Sequence, residues 1–149
     1  MAKAFSNSDA IDQLNSFLRG ELSAVESYRI ALEKLGTTAH RATLIQCSRS
    51  HEDRARLLTQ AIITRGGEPV KSSGAWGAFA RLVESGAATF GEKSAIAALE
   101  EGEDHGRNGY VCDLDELDPT ARQLVVSLLQ SEQQRTHDML SDMNRKMAS

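Results

Sequence analysis

Gly20-Glu21 is followed by Tyr28 and Leu32, and Gly102-Glu103 by Tyr110 and Leu114, so one pattern occurs twice in the chain. A lone histidine trails each copy, His51 in the first half and His137 in the second. Carboxylate oxygen and imidazole nitrogen suit iron, manganese or zinc, and two carboxylates neutralise one divalent cation. Glu21, His51, Glu103 and His137 are therefore the candidate metal ligands. The same four also suit a core without metal. An acid buried unpaired costs on the order of several kcal/mol, and an imidazole is a ready partner for it. Nothing marks a catalytic residue: the chain has no nucleophile elbow, no Cys-x-x-Cys and no dinucleotide fingerprint.

Such ligands need helices to hold them. Ser8 fits an N-cap, and the stretch from Asp9 to about Leu35 carries Ile11, Leu14, Leu18, Glu21, Val25, Tyr28, Leu32 and Leu35. Their steps of three and four put them on one helical face, and Gly36 ends the run. A second helix spans about Thr38 to Arg65, with Leu44, Cys47, His51, Ala55, Leu58 and Ile62 as its stripe, and stops at Gly66-Gly67. Residues 67–91 are richer in Gly and Ser and hold one short amphipathic piece, Trp76 to Val83. A third long helix begins near Glu92 and places Ile96, Leu99, Glu103, Tyr110 and Leu114 on one side. Gly102, Gly106 and Gly109 weaken it, each by up to ~1 kcal/mol relative to alanine. Asp118-Pro119, a cap followed by a first-turn proline, starts a fourth helix. That helix runs to about Lys146, with Val126, Leu129, Gln133, His137, Leu140 and Met147 along its seam.

Short connectors make two antiparallel hairpins, and the central segment is long enough to travel back along the bundle. The hairpin pair, the long crossover and the Gly-Glu-x6-Tyr blocks resemble the ferritin-like superfamily over nearly the whole chain. They look closest to a bacterial branch of uncharacterised four-helix-bundle proteins. The resemblance implies an all-α, ferritin-like four-helix bundle with a short extra helix in the crossover, and a role in stress or metal handling. Di-iron members supply a Glu from each of two helices and Glu-x-x-His from each of the other two. Glu21 and Glu103 match the first requirement, and His51 and His137 match the histidines. Ser48 and Gln134 stand where the bridging glutamates belong. The di-iron motif is thus degenerate, with two negative charges instead of four. It implies a mononuclear or weakly dinuclear site for Fe, Mn or Zn rather than oxygen activation.

Register adds a constraint. Glu21 and His51 lie at similar distances from the first turn and share a level, whereas Glu103 and His137 are offset by roughly 9 Å at 1.5 Å per residue. Gln130, Glu132, Gln133 or Gln134 then falls nearest Glu103. Glu100 and Glu132 are reserve carboxylates, and an oxidase would have to recruit one of them. Tyr28 and Tyr110 pack in the core with their hydroxyls bonded across the bundle. Cys47 is read as a small buried hydrophobe. It lies about 20 Å from Cys112, beyond the reach of a disulfide, so both are expected to be free thiols. His40 and His105 are expected to face solvent.

The bulk numbers fit this organisation. At 149 residues, 26% charged and 40% hydrophobic, the chain is one globular domain, 1–149. A net charge of −4 with no basic stripe argues against nucleic acid. No apolar run approaches a membrane span, and the opening residues carry no secretory segment, so a cytoplasmic location is expected. Trp76, Phe79 and Leu82 form an apolar stripe needing cover, which implies a homodimer. Two functions are compatible with these residues. One is a metal-binding bundle using Glu21, His51, Glu103 and His137. The other is a non-catalytic scaffold or partner-binding protein, in which Glu21–His51 and Glu103–His137 are buried hydrogen-bonded pairs.

Overall fold

The computed structural model describes residues 5–35, 39–74, 77–89 and 91–148. They are all-α, and no strand occurs among them. The elements are α1 (Asn7–Leu35), α2 (Arg41–Thr64), α3 (Gly77–Thr89), α4 (Glu92–Cys112) and a last rod. That rod joins α5 (Pro119–Leu124), a π-helical turn (Val125–Leu129) and α6 (Gln130–Ala148) without a break. No described helix is long and apolar enough to cross a membrane.

Side-chain contacts fix the directions. Asn7 reaches the Arg65 carbonyl at one end of α1, and Arg41 reaches the Leu32 carbonyl at the other, so α1 and α2 are antiparallel. Tyr28 meets Glu103 and Tyr110 meets Glu21, which makes α1 and α4 antiparallel as well. α6 packs on both α4 and α2. α3 packs on α1 and α4.

Two apolar clusters fill the interior. One gathers Leu44, Cys47, Val83, Ile96, Leu99 and Leu140 around Tyr28, and the other gathers Leu14, Leu18, Leu58, Ile62, Leu117 and Leu129 around Tyr110. Between them lies a polar layer. The buried stripes expected for the first three long helices are largely those seen, although Ile11, Val25, Leu32, Leu35, Ala55 and Leu114 are only half-buried. In the last rod Val126 is 47% exposed and Val125 is buried in its place.

The ends show the local chemistry. Ser6, rather than Ser8, caps α1 by accepting from the Asp9 amide at 3.2 Å. Gly66 ends α2 in the left-handed region at φ +80, a conformation that costs other residues energy. α3 runs on to Thr89, six residues past the Val83 limit expected from sequence, because the added residues include only one glycine and two alanines favour helix. Asn15, next to Leu14 of the expected stripe, ties the crossover to α1. Its amide donates to the Glu68 carbonyl at 3.0 Å and accepts from the Val70 amide at 2.9 Å. Gly36, Thr38 and Trp76 lie outside the described residues, as does the side chain of Phe79; Leu82 is 49% exposed.

Asp118 does two jobs at the start of α5. It caps the helix through the Ala121 amide at 2.9 Å and pairs with Arg65 at the end of α2, at 2.7 Å from Nη2. Asp118→Ala is expected to lower unfolding stability by about 1–2 kcal/mol, measured by urea titration, the range for losing a cap. Asp118→Asn keeps the cap and is expected to recover more than half of that loss.

Candidate functional site

The polar layer is built on His51 of α2. Its Nδ1 lies 2.8 Å from Glu21 Oε2 and its Nε2 lies 2.6 Å from Glu103 Oε1. An ionised carboxylate only accepts, so a ring held on both sides by carboxylates must donate from both nitrogens. His51 is an imidazolium bridging the acids of α1 and α4. All three side chains are almost completely buried.

A second cation closes the charge count. Arg54, one helical turn after His51, is 1% exposed. Its Nε lies 3.5 Å from Glu21 Oε2 and 3.4 Å from the Ser50 carbonyl. Its Nη1 donates to Gln133 Oε1, and its Nη2 to Thr136 Oγ1 at 3.0 Å. Gln133 and Thr136 of α6 in turn donate to Glu103 Oε2, at 2.6 and 2.8 Å. Two carboxylates thus face two protein cations, and neutral donors take up the oxygens that remain.

The tyrosines complete the layer by crossing over. Tyr28 donates to Glu103 Oε1 at 2.6 Å, and Tyr110 to Glu21 Oε1 at 2.7 Å. Each tyrosine lies two turns from its own glutamate, but α1 and α4 are antiparallel, so it falls opposite the glutamate of the other repeat. The Tyr28 ring also stacks on His51, with centroids 5.3 Å apart.

Charge and burial compete in setting the acidities. Burial alone would raise the Glu103 carboxyl, yet the His51 imidazolium, Arg54 and the Tyr28 hydroxyl together hold it down at about 2. Burial likewise works against Glu21, which Arg54, His51 and Tyr110 lower. For His51, burial and Arg54 favour the neutral ring, and the two glutamates outweigh them and raise its pKa. Burial and the facing carboxylates push both tyrosines well above their ordinary value. Cys47, 4.0 Å from the Met139 sulfur, is raised to about 12 by burial and by Glu103, so it is a thiol and not a thiolate. Cys47 and Cys112 are both free.

The fourth candidate ligand lies elsewhere. His137, itself buried, bonds through Nε2 to Oδ1 of the half-buried Asp104 at 2.5 Å, and Gln133 takes the position beside Glu103. The π turn explains the substitution. Ala121, Val125, Leu129 and Gln133 are all buried at steps of four. In an unbroken α-helix each such step drifts about 40° around the axis. The π turn absorbs that drift, so Gln133 faces inward where Glu132 would otherwise point. Glu132 instead bonds Ser50 at 2.8 Å and Arg135 at 2.9 Å, with its side chain 44% exposed. In this register the residue three before Gln133 is Gln130, which donates to the Tyr110 carbonyl at 2.7 Å. Glu100 joins none of the cluster's hydrogen bonds among the described residues, and its Oε2 is buried without a partner there.

The chain is thus an all-helical protein with a buried Glu–His–Glu layer. It belongs to the family described as Domain of unknown function (DUF2383), whose match covers residues 9–112. The matched stretch supplies Glu21, Tyr28, His51, Arg54, Glu103 and Tyr110, whereas Gln133 and Thr136 lie beyond it. No curated protein and no solved structure shows significant similarity to the chain.

Stability is expected to peak between about pH 4.5 and 6.5. Glu103 is lowered, so its contribution is complete above its unfolded value near ~4.3 and is lost as pH falls toward 2. His51 is raised, so its contribution is complete below ~6.5 and is lost as pH rises through its folded value. Glu103→Gln is expected to cost about 3 kcal/mol at pH 6 in urea unfolding and to shrink the acid-side fall, because it breaks a buried ion pair.

Proposed function

We propose that this chain is a non-catalytic helical bundle of the ferritin-like type, with a polar core that His51 and Arg54 neutralise without a metal. The observation that carries this is the position of His51. Both of its ring nitrogens face carboxylates, so neither lone pair is available to a metal. Arg54 supports it, since a guanidinium against Glu21 supplies the charge that a divalent ion would otherwise bring.

The donor set fits a metal poorly. Among the described residues no group of three or more His, Cys, Asp or Glu side chains is arranged to hold an ion. Glu21, His51 and Glu103 converge, but as partners of one another. His137 is outside the layer, and Ser48 and Gln130 occupy the positions three residues before His51 and Gln133. Cys47 is protonated. A function in stress or metal handling through bound Fe, Mn or Zn would require the His51 bridge to open and Arg54 to leave. In the reading proposed, the layer fixes the register of α1, α2, α4 and α6, because any other alignment strands a buried charge.

Metal loading tests the proposal. Protein purified without chelator or affinity tag, then incubated with iron(II), manganese(II) or zinc(II), is expected to retain less than about a tenth of an equivalent and to show no rise in melting temperature. Stoichiometric metal, with a melting-temperature rise that Glu21→Ala abolishes, would overturn the metal-free core.

A further inference from the structure

A cavity of about 300 Å³ opens between α1 and α4 and reaches down to the Glu–His–Glu layer. Its walls are made of small residues, among them Gly20, Ala24, Ser27, Gly102 and Gly109. Gly20 is the telling one. It sits inside α1, where glycine costs about 1 kcal/mol relative to alanine. Nothing in the fold requires its missing side chain, for a Cβ built there meets no atom within 4 Å. Gly109 is nearly as open, its nearest neighbours being Asp113 and Phe17 at 3.9 Å. Gly106 differs, since a Cβ there would press on Gln133 at 3.0 Å. Gly106 therefore serves internal packing, whereas Gly20 and Gly109 leave room that the protein itself does not use.

Three of the hydroxyls lining the cavity bear on what would fill it, beside those of Ser16 and Ser23. Tyr28 donates its proton to Glu103, Tyr110 to Glu21, and Ser27 to the Ser23 carbonyl at 2.8 Å. All three line the cavity with their hydrogens already committed, so each has only lone pairs left to offer. The Glu21 and Glu103 carboxylates at its floor are matched by His51 and Arg54 and leave no net charge there, and the further lining acid, Asp113, is exposed to solvent. We propose that this cavity binds a small, uncharged aromatic molecule of one or two rings that carries an N–H or O–H donor. The volume lies at the lower end of the range for ligand pockets, which suits a mono- or bicyclic compound. The Phe17 and Tyr110 rings, with centroids 4.8 Å apart, give it an aromatic wall. The requirement that the ligand be uncharged rests on the neutral core proposed above.

Indole is the probe, with benzofuran as an isostere lacking the donor and benzamidine as a cationic ring. Isothermal titration of the full chain is expected to show indole binding, with benzofuran and benzamidine each at least about tenfold weaker. Gly20→Leu, which fills the cavity, is expected to abolish indole binding while melting no lower than the parent. Gly20→Ala keeps most of the space and is the control for folding. No indole binding at millimolar concentration, or equal affinity of parent and Gly20→Leu, would overturn the cavity assignment. Equal binding of benzofuran would overturn the donor requirement, and tighter binding of benzamidine would overturn the neutral ligand. Metal content of the same samples separates the two proposals. A metal-free protein that ignores indole refutes only the cavity assignment, and a stoichiometrically metallated one refutes the neutral core.

Discussion

One imidazolium between two carboxylates organises this molecule. In the low dielectric between two apolar layers, a lone Glu21 or Glu103 would carry a penalty that few other interactions could offset. His51 meets both, Arg54 supplies the second positive charge, and the tyrosines, Gln133 and Thr136 take up the remaining oxygen lone pairs. The partners are spread over four rods, so the cluster forms only when α1, α2, α4 and α6 share one register. Such a cluster is no large source of net stability, because desolvation consumes most of the Coulombic gain. Its effect is on alternatives: slipping any rod by one turn leaves a buried charge without its partner.

The two Gly-Glu-x6-Tyr blocks acquire a physical meaning in this frame. Antiparallel packing of α1 and α4 sets each tyrosine against the other block's glutamate, and the two bonds are 2.6 and 2.7 Å. The repeat is therefore a reciprocal clasp between two helices rather than two copies of a self-contained motif. The halves diverge on their second helices. His51 and Arg54 of α2 carry charge, whereas Gln133 and Thr136 at the corresponding level of α6 are neutral. A symmetric layer with two histidines and two arginines would hold a surplus of positive charge. The asymmetry keeps the buried layer near zero.

Much of this was legible in the chain. Apolar residues at steps of three and four marked the long helices, and an acid inside such a stripe, as at Glu21 and Glu103, identified the polar layer before any coordinates. Asp118-Pro119 located the start of the last rod. The misreadings have physical causes. Arg54 escaped notice because an arginine on a helix is usually solvated, although its position one turn after His51 placed it on the same face. His137 was favoured over Gln133 because histidine is the better ligand. A π turn changes helical phase without leaving a strong compositional mark, so the exchange of Val126 for Val125 could not be read from spacing, whereas Gln133 already stood on the expected seam. The length of α3 was underestimated because residues 67–91 read as a Gly- and Ser-rich connector, although two alanines past Val83 favour helix as far as Thr89.

The protonation of the His51 ring is the most direct test of this account. Nitrogen-15 NMR of selectively labelled protein at pH 6 is predicted to show Nδ1 and Nε2 both protonated, each with a hydrogen-bonded N–H. A neutral tautomer at that pH, with one bare ring nitrogen, would contradict the bridge and leave a lone pair free for a metal.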